Sequence, residues 1–227
     1  MRVDRQRGFS LLELIIVLAV VLIVAALTAP KMREIIDAQK LRGAAQEYAG
    51  LMQIARTRAA EDNKPYEIRT VVNGTSTTAF VDLNDDGAYQ PAGDAQGKNP
   101  EPGIPLPEQI TIGDAGAPQD FEASATLLGA TAIDLEDSPM LDTQGNAAPG
   151  IAFNERGLPC QRDTAGGTCK NSATVNAALA PIAWVTYFQY TRSGSGITKY
   201  AAVTVTPAGR IKTWTYQSNG QGGGSWR

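Results

Sequence analysis

Histidine is absent from all 227 residues. Its absence removes Ser–His and Cys–His nucleophile pairs and every zinc site that needs imidazole. No nucleophile elbow, phosphate-cradling glycine loop or dinucleotide fingerprint takes its place, so no enzyme is expected. Cysteine is scarce as well: Cys160 and Cys169 are the only two, and their spacing is not that of a zinc pair. Charge of one sign is missing over long stretches. From Thr164 onward there is no acid, while Lys170, Arg192, Lys199, Arg210, Lys212 and Arg227 are all basic. Between Asp82 and Asp142 the reverse holds, with Lys98 the single base among many carboxylates. The net charge of -3 therefore hides an acidic part and a basic part of one domain, although solvated loops often carry such blocks without further purpose.

Long apolar runs are also missing, apart from one. Leu14 to Ala29 has Thr28 as its only polar member, and Pro30 follows. A helix needs about twenty mostly apolar residues to cross the hydrocarbon core, and Phe9 to Ala29 meets that length. Glu13 lies inside this block, where an ionised carboxylate costs several kcal/mol unless it finds a partner. The residues in front, Met1 to Gly8, form a polar leader with Arg2, Arg5 and Arg7 against Asp4, and positive flanks favour the cytoplasmic side. A secretory signal places its small-residue cleavage site after the apolar region, whereas here the glycine precedes it. Cutting at Gly8 leaves the apolar helix on the mature chain and frees an α-amino group, a cation suited to the buried carboxylate of a neighbouring helix. An uncleaved single-pass anchor with a protonated Glu13 is the plainer alternative.

Arg7-Gly8-Phe9-Ser10-Leu11-Leu12-Glu13 resembles the type III signal of type IV prepilins and pseudopilins. The resemblance implies cleavage between Gly8 and Phe9 by a membrane prepilin peptidase, N-methylation of Phe9, and pairing of Glu13 with the terminal amine of another subunit during filament assembly. It also implies a kinked or melted helix near Pro30, an inner-membrane location with the head in the periplasm, and later a place in a pilus or pseudopilus. A head held outside the cytoplasmic membrane sits in an oxidising compartment, where Cys160 and Cys169 are expected to close the Gly-rich loop between them as a disulfide.

Downstream, the expected order is residues 1–8 as leader, 9–30 as membrane and assembly helix, 31–62 as an amphipathic continuation, and 63–227 as a β-rich head. Met32, Ile35, Ile36, Leu41, Ala44, Ala45, Tyr48, Leu51, Met52, Ala55 and Ala59 recur at three- and four-residue spacings, which predicts a helix with one apolar face. Tyr66 to Val72 and Thr75 to Leu83 read as strands joined by Asn73-Gly74. Short strands are expected near Gln109 to Ile112 and Ile151 to Phe153, and irregular strands in Ala123 to Leu128 and Ala132 to Leu135. Ile182 to Thr191, Thr198 to Thr206 and Arg210 to Tyr216 read as a three-stranded antiparallel meander, and Gln217 to Arg227 as a mobile Gly/Ser-rich tail. The fold class is α+β, a long N-terminal helix packed on an antiparallel sheet, as in the pilin fold.

Asp82-Leu83-Asn84-Asp85-Asp86-Gly87 begins like a calcium loop, with Asp82, Asn84 and Asp86 at ligand offsets. Position twelve would be Gly93 rather than glutamate, with Asp94 beside it, and a strand flanks the loop, so a plain acidic turn is the competing reading. No other cofactor is expected. Within the superfamily the chain is most similar to the FimT/GspH minor pilins. The residues concerned are Leu41–Ala45, Leu51–Arg56, Phe80-Val81-Asp82 with Asp86-Gly87, Phe153-Asn154-Glu155-Arg156-Gly157, and Val203–Arg210. That similarity leaves three roles open: a minor pilin or type II secretion pseudopilin for assembly initiation or the filament tip, a DNA-binding minor pilin for uptake in transformation, and a major pilin. For double-stranded DNA, Gly209-Arg210-Ile211-Lys212 resembles the family's C-terminal Gly-Arg-x-Arg element with lysine last, and Arg192 and Lys199 add charge while Trp214, Tyr216 and Trp226 offer stacking. A tight turn with strand-edge charges that blunt aggregation explains the same residues without DNA.

Overall fold

Leu11–Asp62 is one helix, α1. The computed structural model describes residues 10–93, 97–113, 116–118, 128, 132–134, 150–162, 169–170, 172–175, 178–192, 198–218 and 223–227. It divides into two units, Met1–Gln39 and Lys40–Arg227, and α1 contributes to both.

In the first unit Ser10 stands at the N-cap position, with its Oγ 3.5 Å from the Glu13 amide. Leu11, Leu14, Ile15, Val20 and Leu27 each keep more than half of their surface exposed, as do their apolar neighbours. The helix holds a window of mean hydropathy 3.0, and by length and composition it can cross a membrane. Thr28, the polar exception, turns its hydroxyl onto the Val24 and Ala25 carbonyls at 3.0 and 3.3 Å, which satisfies it within the helix. Helical backbone continues through Pro30, so no melted turn occurs there.

In the second unit the same helix changes character. Leu41, Ala44, Ala45, Tyr48, Leu51, Met52, Ala55 and Ala59 are all buried, as their spacing predicts, whereas Met32, Ile35 and Ile36 are exposed. Small residues at four of these eight positions let the strands approach the helix closely. Tyr48 meets Phe188 edge-on at 5.2 Å.

The strands, in chain order, are β1 Tyr66–Asn73, β2 Ser76–Asp82, β3 Gly103–Leu106, β4 Ile110–Ile112, β5 Ala132–Asp134, β6 Ala152–Phe153, β7 Pro159–Arg162, β8 Cys169–Lys170, β9 Ser172–Val175, β10 Ala178–Thr191, β11 Thr198–Val205, β12 Ile211–Ser218 and β13 Gly224–Trp226. Instead of a single sheet there are two. One runs β3-β2-β1-β6-β7-β8, the other β13-β12-β11-β10-β4, with β5 and β9 also on β10. Among the described residues all pairings are antiparallel except β5 with β10. The meander β10-β11-β12 appears as expected, and alternation decides what each face buries. Trp184, Phe188, Ala201 and Val203 join the helix core, while Ala183, Val185, Tyr187 and Ala202 form a second core with Ala117 and Leu128.

Two local expectations change. The first hairpin pairs Asn73 with Ser76, so its central residues are Gly74-Thr75 rather than Asn73-Gly74. Gly74 alone takes positive φ, 64°, the sign pattern of a type II′ turn. The tail expected to be mobile supplies β13, which pairs with β12 through Tyr216↔Trp226. Trp226 stands 5.8 Å from the Tyr187 ring and 5.3 Å from Tyr216, and its indole N–H donates to the Pro118 carbonyl at 3.1 Å. The second core recruits the tail by giving an otherwise exposed indole both apolar contact and a hydrogen-bond acceptor. Residues 123–127, where strand was expected, lie outside the described residues.

Candidate functional site

Three places carry candidate chemistry, and the first is the start of α1. Glu13 lies in the first helical turn, exposed like the apolar residues around it. Among the described residues no cation pairs with its carboxylate. Gly8 and Phe9 lie outside the described residues.

The second is the acidic loop after β2. Asp82 and Asp86 meet Glu101 there, each offering a carboxylate oxygen within 4.8 Å of the others. Asp94 lies outside the described residues, and Asn84 turns its amide to Asp86 at 3.0 Å. The carboxylates already accept hydrogen bonds from the loop. Asp82 takes the amides of Asp85 and Gly87 at 2.7 and 3.0 Å, Glu101 takes those of Leu83 and Gln90 at 3.1 and 2.8 Å, and Asp86 takes that of Ala88 at 2.8 Å. Asp82 also faces a cation that the sequence reading missed: Arg69 Nε lies 2.8 Å from its Oδ2, and Arg69 Nη2 lies 3.0 Å from Glu67 Oε2. Glu67 stands opposite Asp82 across the β1–β2 ladder, so the two carboxylates share one guanidinium beneath the loop. Burial pushes both Glu67 and Glu101 above the usual carboxylate range, and for Glu67 the neighbouring Arg69 opposes part of that rise. Arg162 then grips Asp85 by donating from Nη1 and Nη2 to its two carboxylate oxygens, at 2.9 and 2.8 Å. Arg162 lies on β7 beside Cys160, which is disulfide-bonded to Cys169. The disulfide thus staples the hairpin that holds the acidic loop.

The third place is the basic end of the head. Arg210 is exposed after the Thr206–Gly209 turn, and Lys212 is exposed with its Nζ 3.3 Å above the Trp214 ring. Arg192 and Lys199 are not brought to them. Lys199 is the second residue of β11 and Lys212 pairs with Thr204 near its other end, five residues on, roughly 17 Å along the strand. The aromatic residues are also engaged: Trp214 donates its indole N–H to Thr204 Oγ1 at 2.9 Å, and Trp226 packs as described above.

The residue before Arg210, Gly209, is instead held by Arg56 from α1. Arg56 Nη1 donates to the Gly209 carbonyl at 2.9 Å. Gly157, in the turn between β6 and β7, lies against the same side chain, and a Cβ there would stand 3.1 Å from Arg56 Cγ. A Cβ on Gly209 would stand 3.2 Å from the Gly157 carbonyl oxygen. Both glycines have positive φ, 68° and 79°. Helix and two turns therefore close on one guanidinium, with tight contact and a left-handed backbone at both glycines. Gln53, Arg56, Thr57, Ala60, Glu61, Arg156 and Gly157 line an open groove of about 510 Å³ beside this junction. No signal of spacing could reveal it, because the three segments lie far apart in the chain.

Residues 4–29 match the prokaryotic N-terminal methylation motif. That match, together with one long apolar N-terminal helix and two antiparallel sheets, supports a type IV pilin-like substrate of prepilin peptidase. No curated protein and no solved structure matches the chain.

Proposed function

We propose that the chain is a minor pilin or pseudopilin of the FimT/GspH kind, serving assembly initiation or the tip of a type IV pilus or type II secretion pseudopilus. The observation that carries this reading is Glu13, an acidic side chain without a cation among the described residues, within a helix apolar and exposed along its membrane-length part. A neighbouring subunit's α-amino group, freed at Gly8–Phe9, supplies the missing charge, and the pairing sets the register between helices. The head then sits in the periplasm, on the same helix.

Two measurements test this. Mass spectrometry of the membrane-extracted protein should show loss of residues 1–8 and a methyl group on Phe9. Glu13→Leu should keep processing and membrane insertion but lose co-purification with partner pilins; unchanged co-assembly would remove the role given to Glu13.

A second reading, double-stranded DNA binding for uptake, draws on Arg210 and Lys212. Both are exposed at one end of an acid-free hairpin, and no carboxylate among the described residues pairs with either. Lys212 over Trp214 presents a cation and a ring together. Duplex binding that falls steeply with salt and weakens in an Arg210→Ala, Lys212→Ala variant supports it; no binding at low salt removes it.

A further inference from the structure

Two arginines line one groove where α1 meets the Asn154–Gly157 and Thr206–Gly209 turns, and a third follows the second turn in the chain. Arg56 and Arg156 line the groove, and Arg210 follows the glycine that Arg56 holds. No carboxylate among the described residues pairs with any of the three. That is unusual economy for an acidic protein, because uncompensated like charges repel and are tolerated at small cost only where solvent, or a ligand, screens them. Glu61, the one carboxylate on the groove lining, forms an exposed pair with Arg58 at 4.0 Å.

The groove is open, and what sets it apart from a bare surface patch is one anchored arginine. Arg56 is half-buried and fixed through Nη1 on the Gly209 carbonyl, so its remaining N–H donors are oriented in advance. A held guanidinium loses less freedom on binding than a free one, and its planar fork matches two oxygens of one anion. Gln53 adds an amide on the same wall. Arg156 is exposed and stands on the turn whose glycine touches Arg56, kept short by the amides of Arg156 and Leu158 on Asn154 Oδ1, both at 3.0 Å.

We infer that this groove is an oxyanion site for a phosphate group, with Arg56 as the fixed donor and Arg156 as the mobile one. Phosphate reaches it either as the free ion or as a phosphodiester of a nucleic-acid backbone. In the second case the site extends the DNA reading from the C-terminal hairpin onto α1, and Arg210 continues the contact along β12 toward Lys212.

The test uses the full chain in detergent micelles, labelled so that the arginine Nε–H resonances can be followed. Inorganic phosphate is titrated into the parent protein, Arg156→Ala and, as a charge-matched control on the membrane half, Arg33→Ala. The same three proteins are titrated with a short fluorescent duplex at several salt concentrations. The expected result is a saturable phosphate-induced shift at Arg56 and Arg156, absent at Arg56 in Arg156→Ala and retained in Arg33→Ala. Duplex affinity should fall about tenfold in Arg156→Ala, and the slope of log affinity against log salt should fall by about one. Phosphate shifts without duplex binding would keep the site, make free phosphate its ligand and remove the DNA reading. Duplex binding that is equal in the parent and Arg156→Ala, with Arg56 unmoved by phosphate, would overturn the site and leave the DNA reading on Arg210 and Lys212. Arg156 is exposed, so an unchanged unfolding midpoint separates these results from damage to the fold.

Discussion

Single side chains fix this head at places the chain order conceals. Gly157 and Gly209 surround Arg56, and each takes positive φ where a Cβ would meet neighbours at 3.1 to 3.2 Å. Gly157→Ala should therefore cost about 1 to 3 kcal/mol from backbone conformation alone, with crowding adding to it, read from the denaturant midpoint. Asp82 is a second such residue. Removing its carboxylate breaks the buried Arg69–Asp82 pair and leaves the Arg69–Glu67 pair in place, so Asp82→Ala should cost on the order of 3 kcal/mol or more in urea unfolding. The loop's opening residues were legible because Asp-x-Asn-x-Asp-Gly is local. Arg69 and Glu101 were not: the first reads as one charge in a strand, the second as an acid in a proline-rich stretch, and only pairing across β1, β2 and β3 brings them to Asp82. The same limit hid the meeting of Arg56 with both glycines, although each of the three segments had been singled out.

At the scale of elements, what the sequence disclosed follows from how strongly each segment repeats. The buried helix residues from Leu41 to Ala59 and the strands β1, β2, β10, β11 and β12 show their periods over seven residues or more, and all were legible. Strands of two to four residues have too few positions for a period, and of these β4, β5 and β6 were expected only from short apolar pieces beside turn residues. β3 hides among prolines, β13 hides among glycines, and β10 begins at Ala178, earlier than expected, through a stretch containing Pro181. Tertiary contact decides these. Trp226→Ala should release β13 from Tyr187 and Tyr216, with a loss of about 2 kcal/mol and faster amide exchange in Gln217 and Ser218. The helix face gives the opposite test. Ala55 is completely buried, so Ala55→Leu should destabilise by about 1 to 3 kcal/mol through overpacking, seen as a lower thermal midpoint.

For the whole molecule, stability should depend on pH at both ends. Burial raises Glu67 and Glu101, so the folded chain holds protons there that the unfolded chain releases. Their contribution is therefore full below the ordinary carboxylate value of about 4.3 and is lost as pH rises through the raised values. Unfolding followed from pH 7 downward should show this share growing, and Glu101→Gln should flatten it. Tyr66 is pushed up to about 12, first by burial and then by its hydrogen bond to Asp62. Its share is intact below about pH 10 and disappears as pH rises toward 12, a limb that Tyr66→Phe should remove. Reducing Cys160–Cys169 should cost about 2 to 3 kcal/mol and loosen Arg162 from Asp85. Lastly, α1 is at once the membrane-length helix and the central support of the head's core. A head on a tether can be shed intact by clipping the tether. Here a protease that cuts within Leu41–Ala59 would split one wall of the core, so a cut anywhere along that stretch does not release the head whole.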